Sequence, residues 1–251
     1  MIELGKKEAV LIIPDIHNNV GWVEEYLAKQ KYDYVVFLGD YFDEFYDSVK
    51  DATEAAKWLK ESLKKENRIH LWGNHDTSYF FPNLYECSGY SKEKEEGIKE
   101  ILKTPEWMKL EGLVKVGNFI LSHAGLREEL YAHPITRKID LHKINQNIKD
   151  SLLLHQAYYA LAAGMARDGF CEFGGVTWLD WNKEFKPIEG MNQIVGHTVV
   201  KYPSEKKGPN SVNWNLDTKG SHVGKLINNQ FEAIRINSKV VELINTEISN
   251  I

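Results

Sequence analysis

The sequence predicts an α/β fold in which strands alternate with crossover helices. Two features carry this expectation. Apolar runs of strand length alternate with segments of helical periodicity through the first third of the chain, and a short polar motif stands directly after each run. The first strand is expected at 10–13 and leads into Asp15-Ile16-His17. Val20, Val23, Tyr26 and Leu27 then recur at helical spacing. A second strand at 34–38 runs into Gly39-Asp40-Tyr41-Phe42-Asp43, and Ala52, Ala55, Ala56, Leu59 and Leu63 mark an amphipathic helix with lysines and glutamates opposite. A third, less purely apolar strand at 69–72 precedes Gly73-Asn74-His75-Asp76. Such an order favours a parallel sheet. Every motif then falls at the carboxyl end of its strand, the edge where ligand sites collect.

The middle of the chain reads differently. Segment 79–115 is charged and aromatic-rich, with a lysine- and glutamate-dense stretch at 91–103 that suits a helix with a solvated face. A second segment, 127–174, contains a helix expected at 144–165. Both are read as insertions forming a helical cap beside the site of a single domain spanning 1–251. Strands are expected at 119–121, before Ser122-His123-Ala124-Gly125, and at 194–195, before Gly196-His197-Thr198. Three more follow at 213–216, 231–236 and 240–244, with Asn237-Ser238 suited to a hairpin turn between the last two.

Composition narrows the function. With 251 residues, 43% of them hydrophobic and 27% charged, the chain can bury a large core. A net charge of −5 argues against the broad basic surface of a non-specific nucleic-acid binder. The apolar stretches fall far short of the roughly 20 residues that span a bilayer, so no membrane association is expected. Cys87 and Cys171 are too few for a disulfide framework, which suits a reduced, cytoplasmic location.

The motifs carry the chemistry. Asp15 and His17, two apart, leave the same face of an extended segment and can grip one ion. Asp40 and Asp43 flank a tight turn; Asn74, His75, His123 and His197 add an amide and three imidazoles at strand ends. This nitrogen and oxygen set without thiolate suits manganese, iron or zinc. His70, His133, His142, His155 and His222 lie outside the motifs and read as structural, as do Asp217 and Thr218 in a turn. Tyr41, Phe42, Phe45 and Tyr46 read as packing residues rather than a stacking platform.

The five motifs in this order, with Asn215-Leu216-Asp217-Thr218 and Gly224-Lys225-Leu226 downstream, resemble the calcineurin-like metallophosphoesterases over nearly the whole length. Within that superfamily the pattern is similar to the phosphoprotein-phosphatase branch, including bacterial and phage serine/threonine phosphatases and symmetrical diadenosine tetraphosphatases. The resemblance implies a two-layered β-sandwich flanked by helices and a centre for two divalent metal ions, manganese first, with iron, zinc or nickel as alternatives. It assigns Asp15 and His17 to one ion, Asp40 to a bridge, and Asn74, His123 and His197 to the other. His75 is implied as the unligated general acid, oriented by Asp43. The activity implied is phosphoester hydrolysis by a hydroxide shared between the ions.

This chain departs from the pattern in several places. Glu44 and Phe45 stand where arginine and glycine usually follow Asp43, and Trp178-Leu179-Asp180 replaces a frequent Trp-x-Arg. Asn18 for glycine and Asp76 for glutamate are expected to be tolerated. Acids in place of phosphate-binding arginines repel a phosphomonoester dianion, so a phosphodiester or other nucleotide-type small molecule is the expected substrate. A serine/threonine protein phosphatase or a dinucleoside polyphosphate hydrolase is the alternative. Arg127 leads the basic candidates to replace those arginines, ahead of Arg137, Arg167 and Lys201. A non-catalytic interaction scaffold is the alternative from another class, and the presence of His75 argues against it.

Overall fold

In chain order the structure, a computed structural model describing residues 1–44 and 46–236, opens with β1 (Glu3–Leu4), β2 (Val10–Ile13), α1 (Gly21–Ala28), β3 (Tyr34–Phe37), α2 (Val49–Ser62) and β4 (Arg68–His70). It continues with α3 (Asn74–Phe80), α4 (Pro82–Tyr85), α5 (Lys92–Ile101), α6 (Thr104–Trp107), β5 (Leu113–Val116) and β6 (Phe119–Ser122). Then come α7 (Glu128–Tyr131), α8 (Leu141–Leu153), β7 (Asn192–Val195), β8 (Ser204–Gly208), β9 (Ser211–Asn215), β10 (His222–Ile227) and β11 (Gln230–Arg235). The strand expected at 240–244, its turn and Phe45 lie outside the described residues.

The strands form two sheets. The five-stranded sheet has the order β11-β10-β2-β3-β4 and the six-stranded sheet β1-β5-β6-β7-β9-β8. β2, β3 and β4 are parallel, with Ile12 opposite Val36 and Val36 opposite Ile69, while β10 runs antiparallel to β2. The apolar runs of β2 and β3 follow from burial on both faces. Val10, Ile12 and Val36 point between the sheets, where they meet Val114, Leu121 and Ile194 from the other layer. Leu11, Ile13, Val35 and Phe37 point the opposite way and pack under Val23, Leu27, Ala52, Ala56 and Leu59 of the crossover helices. The result is the expected sandwich with flanking helices. The single parallel sheet suggested by the strand–helix alternation is half of it, since β6 and β7 belong to the second layer.

The middle segments depart from the pattern reading in two respects. Segment 79–115 ends in β5, which pairs with β1 and β6. The helix expected at 144–165 stops at Leu153: His155 takes a left-handed φ of 51°, and the Gln156 N–H closes onto the Ser151 carbonyl. Beyond it, Gly164 packs so closely on the Gly174 backbone that a Cβ would lie 2.2 Å from that nitrogen, which a continuing helix would prevent. α8 is tied to the second layer through Asn145, whose Oδ1 accepts from the Gly112 and Leu113 N–H groups. No helix among the described residues is long and apolar enough to cross a membrane.

Candidate metal centre

β2, β3 and β4 of one sheet and β6 and β7 of the other end at a common edge, and the five motifs meet there. The backbone is held in unusual conformations to do so. His17, Asp40, Asp43 and His197 take φ values of 46°, 52°, 65° and 67°, each costing on the order of 1–3 kcal/mol. Two glycines permit the approach of the loops. A Cβ on Gly73 would lie 2.1 Å from Asp40 Oδ1, and one on Gly196 2.1 Å from Asp15 Oδ1. Asp76 ties two motifs together: its carboxylate accepts the N–H groups of Asp40, Tyr41 and Gly73 at 2.9, 2.9 and 2.8 Å.

Asp40 is central. Its Oδ1 accepts the His75 N–H at 3.0 Å, and its Oδ2 lies 3.3 Å from His123 Nε2 and 3.9 Å from His17 Nε2. Both latter rings are oriented by backbone carbonyls: His123 Nδ1 sits 2.9 Å from the Leu38 oxygen and His17 Nδ1 3.0 Å from the Phe42 oxygen. A backbone carbonyl accepts only from a protonated nitrogen, so each Nδ1 carries a proton and each Nε2 is aimed at the Asp40 carboxylate. Asn74 Oδ1 lies 3.0 Å from His123 Nε2 and 2.9 Å from His197 Nδ1. His197 Nε2 is buried with no hydrogen-bond partner. Asp15 accepts the His197 N–H at 2.9 Å.

Two groups of potential ligand atoms, each within 4.8 Å of one another, share Asp40: His17, Asp40 and His75, and Asp40, His123 and His197. This convergence of carboxylate, amide and imidazole acceptors fits divalent cations, which satisfy several lone pairs at once. Asp15, expected beside His17, is not in the first group, whereas His75, expected to stay unligated, is.

The electrostatics follow from burial and crowding. Burial, together with the carboxylates of Asp217 and Asp40, pushes Asp15 up to about 7. Burial also works against the charge on Asp40, yet the neighbouring imidazoles of His123, His75 and His17 hold its carboxyl far below the usual range. His123 rises to about 9 against its own burial because Asp40 and Asp15 face it. Burial and the charges of His123 and Arg167 keep His197 neutral, well below the ordinary histidine value.

A second layer surrounds His75. Its Nδ1 lies 2.9 Å from Asp43 Oδ2, and burial is outweighed by Asp40 and Asp43, which raise its pKa well above the ordinary value. Asp43 Oδ1 in turn accepts from Tyr79 Oη at 2.5 Å and Lys94 Nζ at 2.8 Å. Lys94 also reaches Asp47 at 3.0 Å. Sequence reasoning missed this lysine by taking 91–103 as a solvated face. The available signal is its position on the stripe with Ile98 and Ile101, four and seven residues on, and its side chain is only 7% exposed.

Arg127, the leading basic candidate, is not brought to this cluster. Its guanidinium stacks on Phe173 at 3.6 Å, donates to the Glu184 carbonyl and pairs with Glu129 at 2.9 Å. Arg167 does reach the edge, donating to Thr198 Oγ1 beside His197 at 3.1 Å. Tyr41 and Phe42 are fully buried in the core, as expected, whereas Tyr46 is exposed. Asp217 caps its own turn through the Lys219 N–H, but its charge also acts on Asp15 and His17.

The chain belongs to the calcineurin-like phosphoesterase family, whose model matches residues 9–217. Among solved structures it is similar to the cold-active protein-tyrosine phosphatase of a psychrophile, Shewanella sp., with a TM-score of 0.63 and 16% identity over 93% of this chain and 79% of that one. It is also similar to a protein serine/threonine phosphatase from Saccharomyces cerevisiae, with a TM-score of 0.50 and 15% identity over 94% and 84%. At these identities the likeness is one of fold. No curated protein matches the sequence.

Proposed function

We propose that the protein is a binuclear metal-dependent phosphoester hydrolase. The observation that carries this reading is Asp40, whose two oxygens face His75, His17 and His123 at the junction of two ligand groups. Asp15, His17 and Asp40 would hold one divalent cation, and Asp40, Asn74, His123 and His197 the other. When bound, such ions polarise the phosphoryl group and make water nucleophilic near neutral pH. The chain's own residues do the rest. His75 delivers a proton to the leaving oxygen, and Asp43 orients its ring and favours the charged form. Lys94 and Tyr79 hold Asp43 in that position.

The expected preference for a phosphodiester or nucleotide substrate had two premises, acids at positions 44 and 180. Asp180 is neutralised by Arg167, whose Nε lies 2.8 Å from Oδ2, so that premise falls and Glu44 alone supports the preference. We therefore keep the reading at phosphoester hydrolysis, with protein phosphatase and dinucleoside polyphosphate hydrolase activities inside it. A scaffold would need neither the ligand groups nor the His75–Asp43 pair. Purified protein supplied with manganese, nickel or zinc should hydrolyse at least one member of a mono- and diester panel. Failure on every member, with metal bound, would refute the hydrolase reading.

A further inference from the structure

The acid at position 180 is paired with an arginine brought from elsewhere in the fold. Arg167 lies in segment 127–174, far from any motif, yet its guanidinium is fastened at the site edge from two sides. Nε lies 2.8 Å from Asp180 Oδ2 in an ion pair that lacks hydrogen-bond geometry, and Nη2 donates to Thr198 Oγ1 at 3.1 Å. Among the described residues, Nη1 has no hydrogen-bond partner in the protein. Asp180 is itself anchored: it is buried, and its Oδ1 accepts the N–H groups of Asn182 and Lys183 at 2.9 and 2.8 Å. Thr198 Oγ1 also accepts the Trp181 N–H at 3.0 Å. Arg167, Asp180, His197 and Thr198 line one cavity of about 980 Å³, which extends from the metal-centre edge.

We infer that Arg167 contacts a phosphoryl oxygen of the substrate, with Asp180 and Thr198 as its holders. The arrangement inverts the Trp-x-Arg pattern, placing the acid at the motif position and bringing the arginine from the insertion. A guanidinium held by the Asp180 ion pair and the Thr198 hydrogen bond keeps further N–H groups for an incoming oxyanion and loses little freedom on binding it. The side chain of Arg167 is 32% exposed, so a ligand in the cavity has access to it. Its charge also offsets Asp180, making a phosphomonoester dianion an acceptable substrate. This inference rests on the proposed phosphoester site and adds its anion contact.

The test is calorimetric titration of inorganic phosphate into the manganese-loaded full-length chain, with metal content measured on each sample. Arg167→Gln should weaken phosphate binding by ~10–100-fold, the worth of a charge-assisted contact, with bound metal unchanged. Arg167→Lys, which keeps the charge but not the planar fork, should fall between the two. Lys183→Gln, on the same cavity wall, should stay within about twofold if charge alone is not the cause. Phosphate affinity within about threefold of wild type in a folded, metal-loaded Arg167→Gln variant would overturn the assignment, as would wild-type protein that binds no phosphate. A wild type that binds phosphate through Arg167 but hydrolyses no ester would remove the hydrolase reading and leave the anion contact standing.

Discussion

At the scale of single residues, binding and chemistry separate at Asp40 and His75. Asp40→Asn replaces the shared carboxylate by an amide that cannot balance two cations, so occupancy of both ions should fall when metal content is measured after dialysis. His75→Ala should keep both ions and lose ~10²–10⁴-fold in turnover. The loss should be smaller for esters of p-nitrophenol, whose leaving group needs no proton. Because a His75 ring nitrogen lies in one ligand group with His17 and Asp40, metal analysis of this variant decides its role. Loss of one ion would make His75 a ligand.

At the scale of elements, α5 and β4 each make a prediction. Lys94 on α5 is the buried cation facing Asp43 and Asp47, and among the described residues the other side chains bonded to that acidic pair are Asn18, Tyr79 and His75. Lys94→Gln removes positive charge near the His75–Asp43 pair, so the imidazolium becomes harder to deprotonate. The alkaline limb of the pH–rate profile should move to higher pH, whereas a purely structural lysine would lower the rate without moving the limb. On β4, His70 stacks on Phe37 with ring centres 4.4 Å apart, and its nitrogens meet Ser62 Oγ at 2.9 Å and Tyr41 Oη at 3.0 Å. Burial and the Arg68 charge depress its pKa to about 3. The unfolded chain takes up that proton near pH 6.5 and the native state does not, so stability from His70 is complete above about 6.5 and lost as pH falls toward 3. Urea melts at pH 4.5 and 7.5 should show this difference shrinking in His70→Gln. An undiminished difference would assign the acid sensitivity to other groups.

The elements also show what the sequence made legible. β2 and β3 were readable because four successive buried residues leave an uninterrupted apolar run, and the helices after them because one face alone is buried. β5 and β10 were not: Lys115 and Lys225 interrupt their patterns, and both strands sit beside segments whose composition reads as insertion or loop. The motif residues were legible because their types and order carry the chemistry locally. Lys94, Arg167 and Asp180 acquire their roles from contacts with residues 51, 31 and 13 positions away, which no local pattern encodes. For the same reason Arg127, adjacent to a motif in sequence, points elsewhere in space.

At the scale of the whole molecule, the centre joins two sheets. Asp15, His17, Asp40 and Asn74 follow strands of one layer, and His123 and His197 follow strands of the other. Cations bound across that junction stabilise the native state alone, by about 2.7 kcal/mol at a concentration one hundred times Kd. Stripping metal with a chelator should therefore lower Tm, and manganese should restore it in a concentration-dependent way. Asp40→Asn should blunt that response far more than Lys183→Gln, which alters charge away from the junction.

In the proposed function, two ions held by this centre enable phosphoester hydrolysis. Its most direct test is titration of the metal-stripped chain with manganese while bound metal and p-nitrophenyl phosphate or bis-p-nitrophenyl phosphate hydrolysis are followed together. Activity should rise with occupancy and reach its plateau at two ions per chain. Full activity in excess chelator, or an activity plateau with no metal bound, would contradict it.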